Sequence, residues 1–202
     1  MGLGVGAYTD SGEKQESLTL GGPPQTTRED FKNNGLFSLG AWVLVPLAEK
    51  VRFGGGARWF GTYGTKNPDA DADEEPFRYG TMFQWYAQGE YSLDIGKSDL
   101  LLGAQAGLLT IIPGSDFKQE IDSDAQAGWS NTALPRLGGF IGPLVGIEYP
   151  TMQHLALRGD LGLQFSRTWL LDSPGADDSS FNKRQQLRFT RLVLTLGAEL
   201  DL

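Results

Sequence analysis

The chain has no cysteine among its 202 residues, which excludes disulfide scaffolds and thiolate metal sites. Its one histidine, His154, leaves a single candidate for any chemistry that needs an imidazole base. Basic residues are few: 17 Lys and Arg stand against 25 Asp and Glu, for a formal net charge of −8. With no basic stripe, nucleic acid is not an expected partner. No run approaches eighteen consecutive apolar residues, so no transmembrane helix is available. A mean hydropathy below zero does not by itself place the chain in water. A transmembrane barrel hides its apolar surface in alternation and dilutes it with polar loops.

What the chain does have is an apolar/polar alternation that restarts repeatedly. It is clearest over residues 79–93, where Tyr79, Thr81, Phe83, Trp85, Ala87, Gly89, Tyr91 and Leu93 share one face and Gln84, Gln88, Glu90 and Ser92 the other. Strands are expected at about 2–9, 36–47, 51–63, 79–93, 99–112, 136–149, 154–171 and 187–201. Short links follow strands two, four and six, at 48–50, 94–98 and 150–153. Long links follow strands one, three, five and seven, at about 10–35, 64–78, 113–135 and 172–186. Alternate links of an up-and-down meander emerge at the same end. The expected fold is therefore all-β, one domain over 1–202: an eight-stranded antiparallel up-and-down transmembrane β-barrel with four long extracellular loops and three short periplasmic turns. An even strand number puts both termini at the periplasmic end. Met1 runs straight into strand-like sequence, so the chain reads as a mature exported form with an initiator Met added.

The faces are assigned by glycine. The polar face carries Gly40, Gly54, Gly142 and Gly162 beside its charged and amide residues. A water-facing strand has no need of repeated glycine, whereas a narrow eight-stranded interior needs small residues. The polar face is expected inside, and the opposite face, rich in leucine with Phe53, Trp59, Phe83 and Trp85, toward lipid. Phe53, Tyr91 and Tyr149 near the short turns, and Trp59, Tyr63, Tyr79 and Trp169 toward the long links, are expected to form two interfacial aromatic girdles. Trp42, Leu44, Leu187 and Phe189 fall on the inner phase instead. A bulge near Arg191, or an extension of the last strand beyond the membrane, accounts for the last two.

With this pattern and topology the chain resembles the small eight-stranded outer-membrane barrels typified by the OmpA membrane domain, OmpX and OmpW. The resemblance covers essentially the whole chain and implies a bacterial outer-membrane location, among lipid and lipopolysaccharide. Barrels of that kind usually end in an aromatic residue, where this chain ends Leu200-Asp201-Leu202.

Charges in a narrow interior must be paired. Arg52, Arg58, Arg158 and Arg191 are therefore expected to meet Glu90, Glu148, Asp160 and Glu199, plugging the lumen or lining a gated ionic path. His154 sits beside a short turn, the wrong end for a histidine-dependent enzyme acting at the outer surface, so no catalysis, cofactor or metal site is expected. The run Asp69, Asp71, Asp73 lacks the glycine and the terminal glutamate of a calcium loop. It reads as a solvated acidic loop or a divalent-ion bridge to lipopolysaccharide phosphate. Phe117, Ile121 and Trp129 are candidate contacts for other envelope proteins. Three functions stay open: a structural or interaction barrel displaying its loops, a narrow OmpW-like channel for small solutes, and a soluble lipocalin-like ligand-binding barrel with its faces reversed.

Overall fold

The computed structural model describes residues 1–69, 71, 73, 75–130, 134–168, 171–175 and 181–200. Its elements in chain order are β1 (Gly2–Leu20), β2 (Gln25–Ala48), β3 (Val51–Thr65), β4 (Phe77–Ile95), β5 (Ser98–Pro113), α1 (Ser115–Gln126), β6 (Arg136–Met152), β7 (Leu155–Thr168), β8 (Leu171–Pro174) and β9 (Phe181–Leu200). Each long strand pairs antiparallel with the next, β7 pairs with β9, and β9 pairs back onto β1, so eight strands form a ring. The short β8 lies outside this ring, on the β9 residues 182–185. Tight turns at 49–50, 96–97 and 153–154 mark one end. Gly96, at φ +68°, supplies the left-handed residue of the second.

The alternation sets which way each side chain faces. On β7, Leu157, Leu161, Leu163 and Phe165 are exposed on the outside, while Arg158, Asp160, Gln164 and Ser166 are buried inside. On β9, Leu192, Leu194, Leu196 and Leu200 face out, and Arg191, Val193, Thr195 and Glu199 face in. This is the opposite of a water-soluble barrel with an apolar interior, so the reversed-face arrangement is not adopted along these strands. The interior glycines have a reason beyond lumen width. A Cβ on Gly142 would lie 1.7 Å from the Leu163 carbonyl oxygen of the neighbouring strand, so the backbones approach there as only glycine permits.

Three features depart from the sequence reading. Residues 10–35 are not a loop: β1 and β2 stay paired from Asp10↔Asn33 up to Leu18↔Gln25, leaving four residues, 21–24, as the turn. β9 follows this hairpin as far as Leu20↔Phe181. The wall thus rises well past its apolar belt at the long-connection end. Second, the register of β9 with β1 runs unbroken through Arg191, so no bulge is present. Leu187 and Phe189 face inward because the strand extends above the belt, where the interior is apolar.

Third, the 113–135 link contains α1. Pro113-Gly114 ends β5, Asp116 places a negative charge in the first helical turn, and Phe117 and Ile121, one turn apart, form its apolar stripe. Gly128, at φ +88°, follows the helix end. Both stripe residues are 3% exposed, packed into a core cluster with Tyr63, Tyr79, Leu109, Ile111, Leu187 and Phe189. The helix lids the ring at its long-connection end. Lys183 on β9 holds it through both oxygens of Asp124, at 2.7 and 3.0 Å.

Candidate functional site

The interior concentrates buried charge among the described residues, and it divides into two layers. Near the short-turn end, inward positions on β3, β4, β6, β7 and β9 bring Arg52, Glu90, Glu148, Arg158, Asp160 and Glu199 together. Arg52 reaches Glu90 at 2.6 Å, Glu148 at 2.6 Å and Glu199 at 3.0 Å. Arg158 takes Asp160 through Nε at 2.8 Å, Glu90 through Nη2 at 2.7 Å and Glu199 through Nη1 at 3.1 Å. Glu90 and Glu199 thus each bridge both guanidiniums. Trp42 adds its indole N–H to Glu199 at 3.0 Å, and its ring lies 5.6 Å from the Arg158 guanidinium.

Above Glu90 a file of amides climbs the lumen. Gln88 donates to Glu90 at 2.7 Å, Gln105 to Gln88 at 2.6 Å, Gln164 to Gln105 at 3.2 Å and Gln84 to Gln164 at 3.0 Å. Every donor points toward the carboxylate, so the amide dipoles align and reinforce one another. With Trp42 and the amides included, the network is anchored from seven strands at once: β2, β3, β4, β5, β6, β7 and β9.

The second layer is centred on Arg191, whose guanidinium forms two 2.6 Å bonds to Asp10. The rings of Phe60, Tyr8, Phe189 and Tyr63 surround it at 4.1, 4.8, 5.0 and 5.5 Å. This layer merges upward into the core cluster beneath α1. The guanidinium is thereby paired and sandwiched, the arrangement that a desolvated arginine needs.

The network differs from the sequence reading in two members. Arg191 pairs with Asp10, a residue the alternation placed at the start of a loop. Arg58 has no carboxylate bonded to it among the described residues. It lies 5.4 Å over the Tyr86 ring, and its Nε and Nη1 meet no hydrogen-bond partner there.

The aromatic positions divide. Phe53, Tyr91 and Tyr149 are exposed on the outside near the short turns. Trp59 is half-buried on the outer face and meets Phe37 edge-on, with ring centroids 6.2 Å apart. Tyr63 and Tyr79 belong to no outer girdle: they are 0% and 5% exposed, inside the core cluster. Two irregularities turn them. The β3–β4 register shifts between Trp59 and Thr62, at Gly61 with φ +64°, and again at Tyr63/Gly64, beside Gly80 with φ +132°. Each reverses the inside/outside phase of the strand residues beyond it. Trp169 lies outside the described residues, as do Glu74, Asp177 and Asp178 of the acidic stretches.

At the lid, Phe117 and Ile121 point into the core and offer no contact surface, while Trp129 is half-buried, its backbone bridged to Gly175. Burial and the nearby Glu120 carboxylate push the Tyr79 hydroxyl above its ordinary range. Bonds from the Ser115 hydroxyl and the Arg78 amide hold the Asp116 carboxyl below its own. His154 is exposed in a short turn. Asp10, Met82, which is fully buried with its sulfur 3.2 Å from Arg191 Nη1, and α1 are among the parts of the interior that sequence reasoning missed. Asp10 lacked an apolar neighbour pattern to mark its phase, whereas the i, i+4 spacing of Phe117 and Ile121 was a legible helix signal.

No protein-family model matches the chain, and no curated protein sequence matches it. Among solved structures it is similar to Neisserial surface protein A, at 13% identity over 92% of this chain and 95% of that one, with a TM-score of 0.39. It is also similar to the outer-membrane protease OmpT of Escherichia coli, at 10% identity over 99% and 96% of the two chains, with a TM-score of 0.43. A third, a Pseudomonas aeruginosa FadL homologue, is 11% identical over 87% of this chain and 38% of that one, with a TM-score of 0.32.

Proposed function

We propose that this chain spans a bacterial outer membrane as an eight-stranded barrel and acts there as a structural or interaction protein with a sealed lumen. The outward belt supports the membrane reading. On β2 it runs from Phe37 through Leu39, Val43 and Val45 to Leu47, all exposed. Ten residue steps cover roughly 33 Å of strand, or about 25 Å of height at the usual barrel tilt, the thickness of an outer-membrane apolar band. Lipid, with lipopolysaccharide on the outer side, is the partner that such a belt requires. The short-turn end, where Gly2 pairs with Glu199, is then periplasmic, and the β1–β2–β9 extension with α1 faces the exterior.

The observation that carries the sealed-lumen reading is the double filling of the interior. The Arg52/Arg158 network closes the periplasmic half, and the Arg191 layer with the aromatic cluster closes the outer half. Such an interior makes a rigid post on which the outer hairpin and lid are displayed to envelope proteins. A second reading, a narrow channel for small apolar solutes, draws on the inward Trp42, Leu44, Phe140 and Leu144, each 9% exposed or less. Liposome swelling with small apolar or zwitterionic solutes separates the two, and planar-bilayer recording of the purified protein tests for an ionic path. The sealed barrel gives no unitary conductance steps, and stable steps would sink it in favour of the channel.

A further inference from the structure

Between the outer hairpin, the start of β4 and α1 lies a chamber of about 680 Å³ that opens to the exterior. Its aromatic wall is Phe31, Phe77 and Tyr79, with the Phe77 and Tyr79 rings edge-to-face at 4.8 Å. Around them, carboxylates outnumber ammonium groups five to two. Glu120 projects from α1 and Glu29 from the inner face of the hairpin, directly opposite Lys14 in register.

The chamber already holds one ammonium group of the chain itself. The Lys14 Nζ lies 5.7 Å from the centre of the Phe77 ring and 3.3 Å from Glu120 Oε1. That oxygen also accepts from Gln185 Nε2 at 2.9 Å. The other oxygen, Oε2, is buried and meets no hydrogen-bond partner among the described residues. Oε1 is thus shared by two donors, and Lys14, the one on the chamber side, lies beside an aromatic ring as a ligand ammonium would after displacing it.

We infer that this outer chamber is a binding site for an arylalkyl ammonium compound: a ring to lie against the half-buried Phe77, above the buried Phe31 and Tyr79, and a charged amine to donate to Glu120. Lys14 occupies part of the same field and competes with the ligand for Glu120. The floor of the chamber is the core cluster, so the ligand is held at the surface and not passed inward. Glu29, exposed on the hairpin wall, adds attraction without touching the buried packing.

Calorimetric titration of the purified protein in a non-ionic detergent tests this, with 2-phenylethylammonium as the probe and 2-phenylethanol as its neutral counterpart. The expected result is saturable binding of the ammonium with a Kd below about 1 mM and at least tenfold weaker binding of the alcohol. Glu120→Gln keeps an oxygen for Gln185 and should weaken the ammonium at least tenfold. Glu29→Gln, on an exposed side chain that folding does not depend on, should weaken it about threefold, and Lys14→Met should tighten it about threefold, as charge removal at rim and wall demands. Equal binding of alcohol and ammonium, no saturable binding up to 10 mM, or unchanged affinity in both glutamate variants would overturn the assignment.

Discussion

Arg191 and Asp10 face each other in register across the β9–β1 pairing and share two 2.6 Å hydrogen bonds, with no solvent reaching either side chain. The pair joins the ends of the ring's sequence at the level where the charged lumen gives way to the aromatic cluster. Removing one partner leaves the other charged and buried, which costs about 3–5 kcal/mol. Asp10→Asn is therefore expected to lower the denaturant midpoint of the detergent-solubilised protein strongly. The double variant Asp10→Leu/Arg191→Met, apolar at both positions, should recover most of that loss. Equal midpoints for the single and double variants would show that the charge is not what matters there.

The two phase reversals predict a ranking of glycine substitutions. A Cβ on Gly80 would stand 1.9 Å from the Ile112 carbonyl oxygen at a φ of +132°, whereas one on Gly61 would meet open space at φ +64°. Gly61→Ala should cost about 1–2 kcal/mol, the usual left-handed penalty. Gly80→Ala adds a backbone clash to its strain and should cost more, about 3 kcal/mol. Equilibrium unfolding measures both, and the reverse order would contradict the bulge at Gly80.

The lid should detach before the wall. Phe117→Ala empties a buried site and is expected to weaken helix docking by about 3–5 kcal/mol. The readout is limited trypsin digestion, in which cleavage after Lys118 accelerates while the strand circular dichroism stays unchanged. Lys183→Met, which releases Asp124, should act in the same direction and more weakly.

Acid should loosen the same helix. The Asp116 carboxyl is held below its ordinary range by the Ser115 hydroxyl and the Arg78 amide. A depressed folded-state value means that its contribution is fully present above about pH 4, the unfolded carboxylate range, and is lost as the pH falls through the lower folded value. The protection factors of the helix amides from Lys118 onward, that is, exchange relative to the intrinsic rate at each pH, should therefore fall on acidification below about pH 4, and Asp116→Asn should abolish that fall.

Much of this architecture was legible from alternation alone. The outward row Leu157 to Phe165 and its buried partners Arg158 to Ser166 follow from period two, because an unbroken strand keeps its phase. Tyr63 and Tyr79 could not be placed in that way, since single left-handed glycines shift the phase and the sequence pattern carries no mark of the pairing register. The outer hairpin was hidden because, apart from Phe31 and the leucines at its tip, its residues are polar on both faces, so backbone pairing persists there without an apolar stripe. Asp10 went unassigned for the same reason. The lumen carboxylates were recognisable as a set, but which arginine meets which depends on how five strands are staggered, and that is a property of the ring and not of any segment.

In the proposed membrane setting the leucine-rich outer face meets lipid and the charged face does not meet water freely. The absence of cysteine makes it directly measurable, because a nitroxide can be placed at one introduced cysteine at a time along Leu157 to Phe165 of the protein in lipid vesicles. Labels at 157, 161, 163 and 165 should collide strongly with oxygen and weakly with a water-soluble nickel chelate, while a label at 162 should be sheltered from both. Strong collision with the nickel chelate at the four outward positions would contradict the lipid-facing placement.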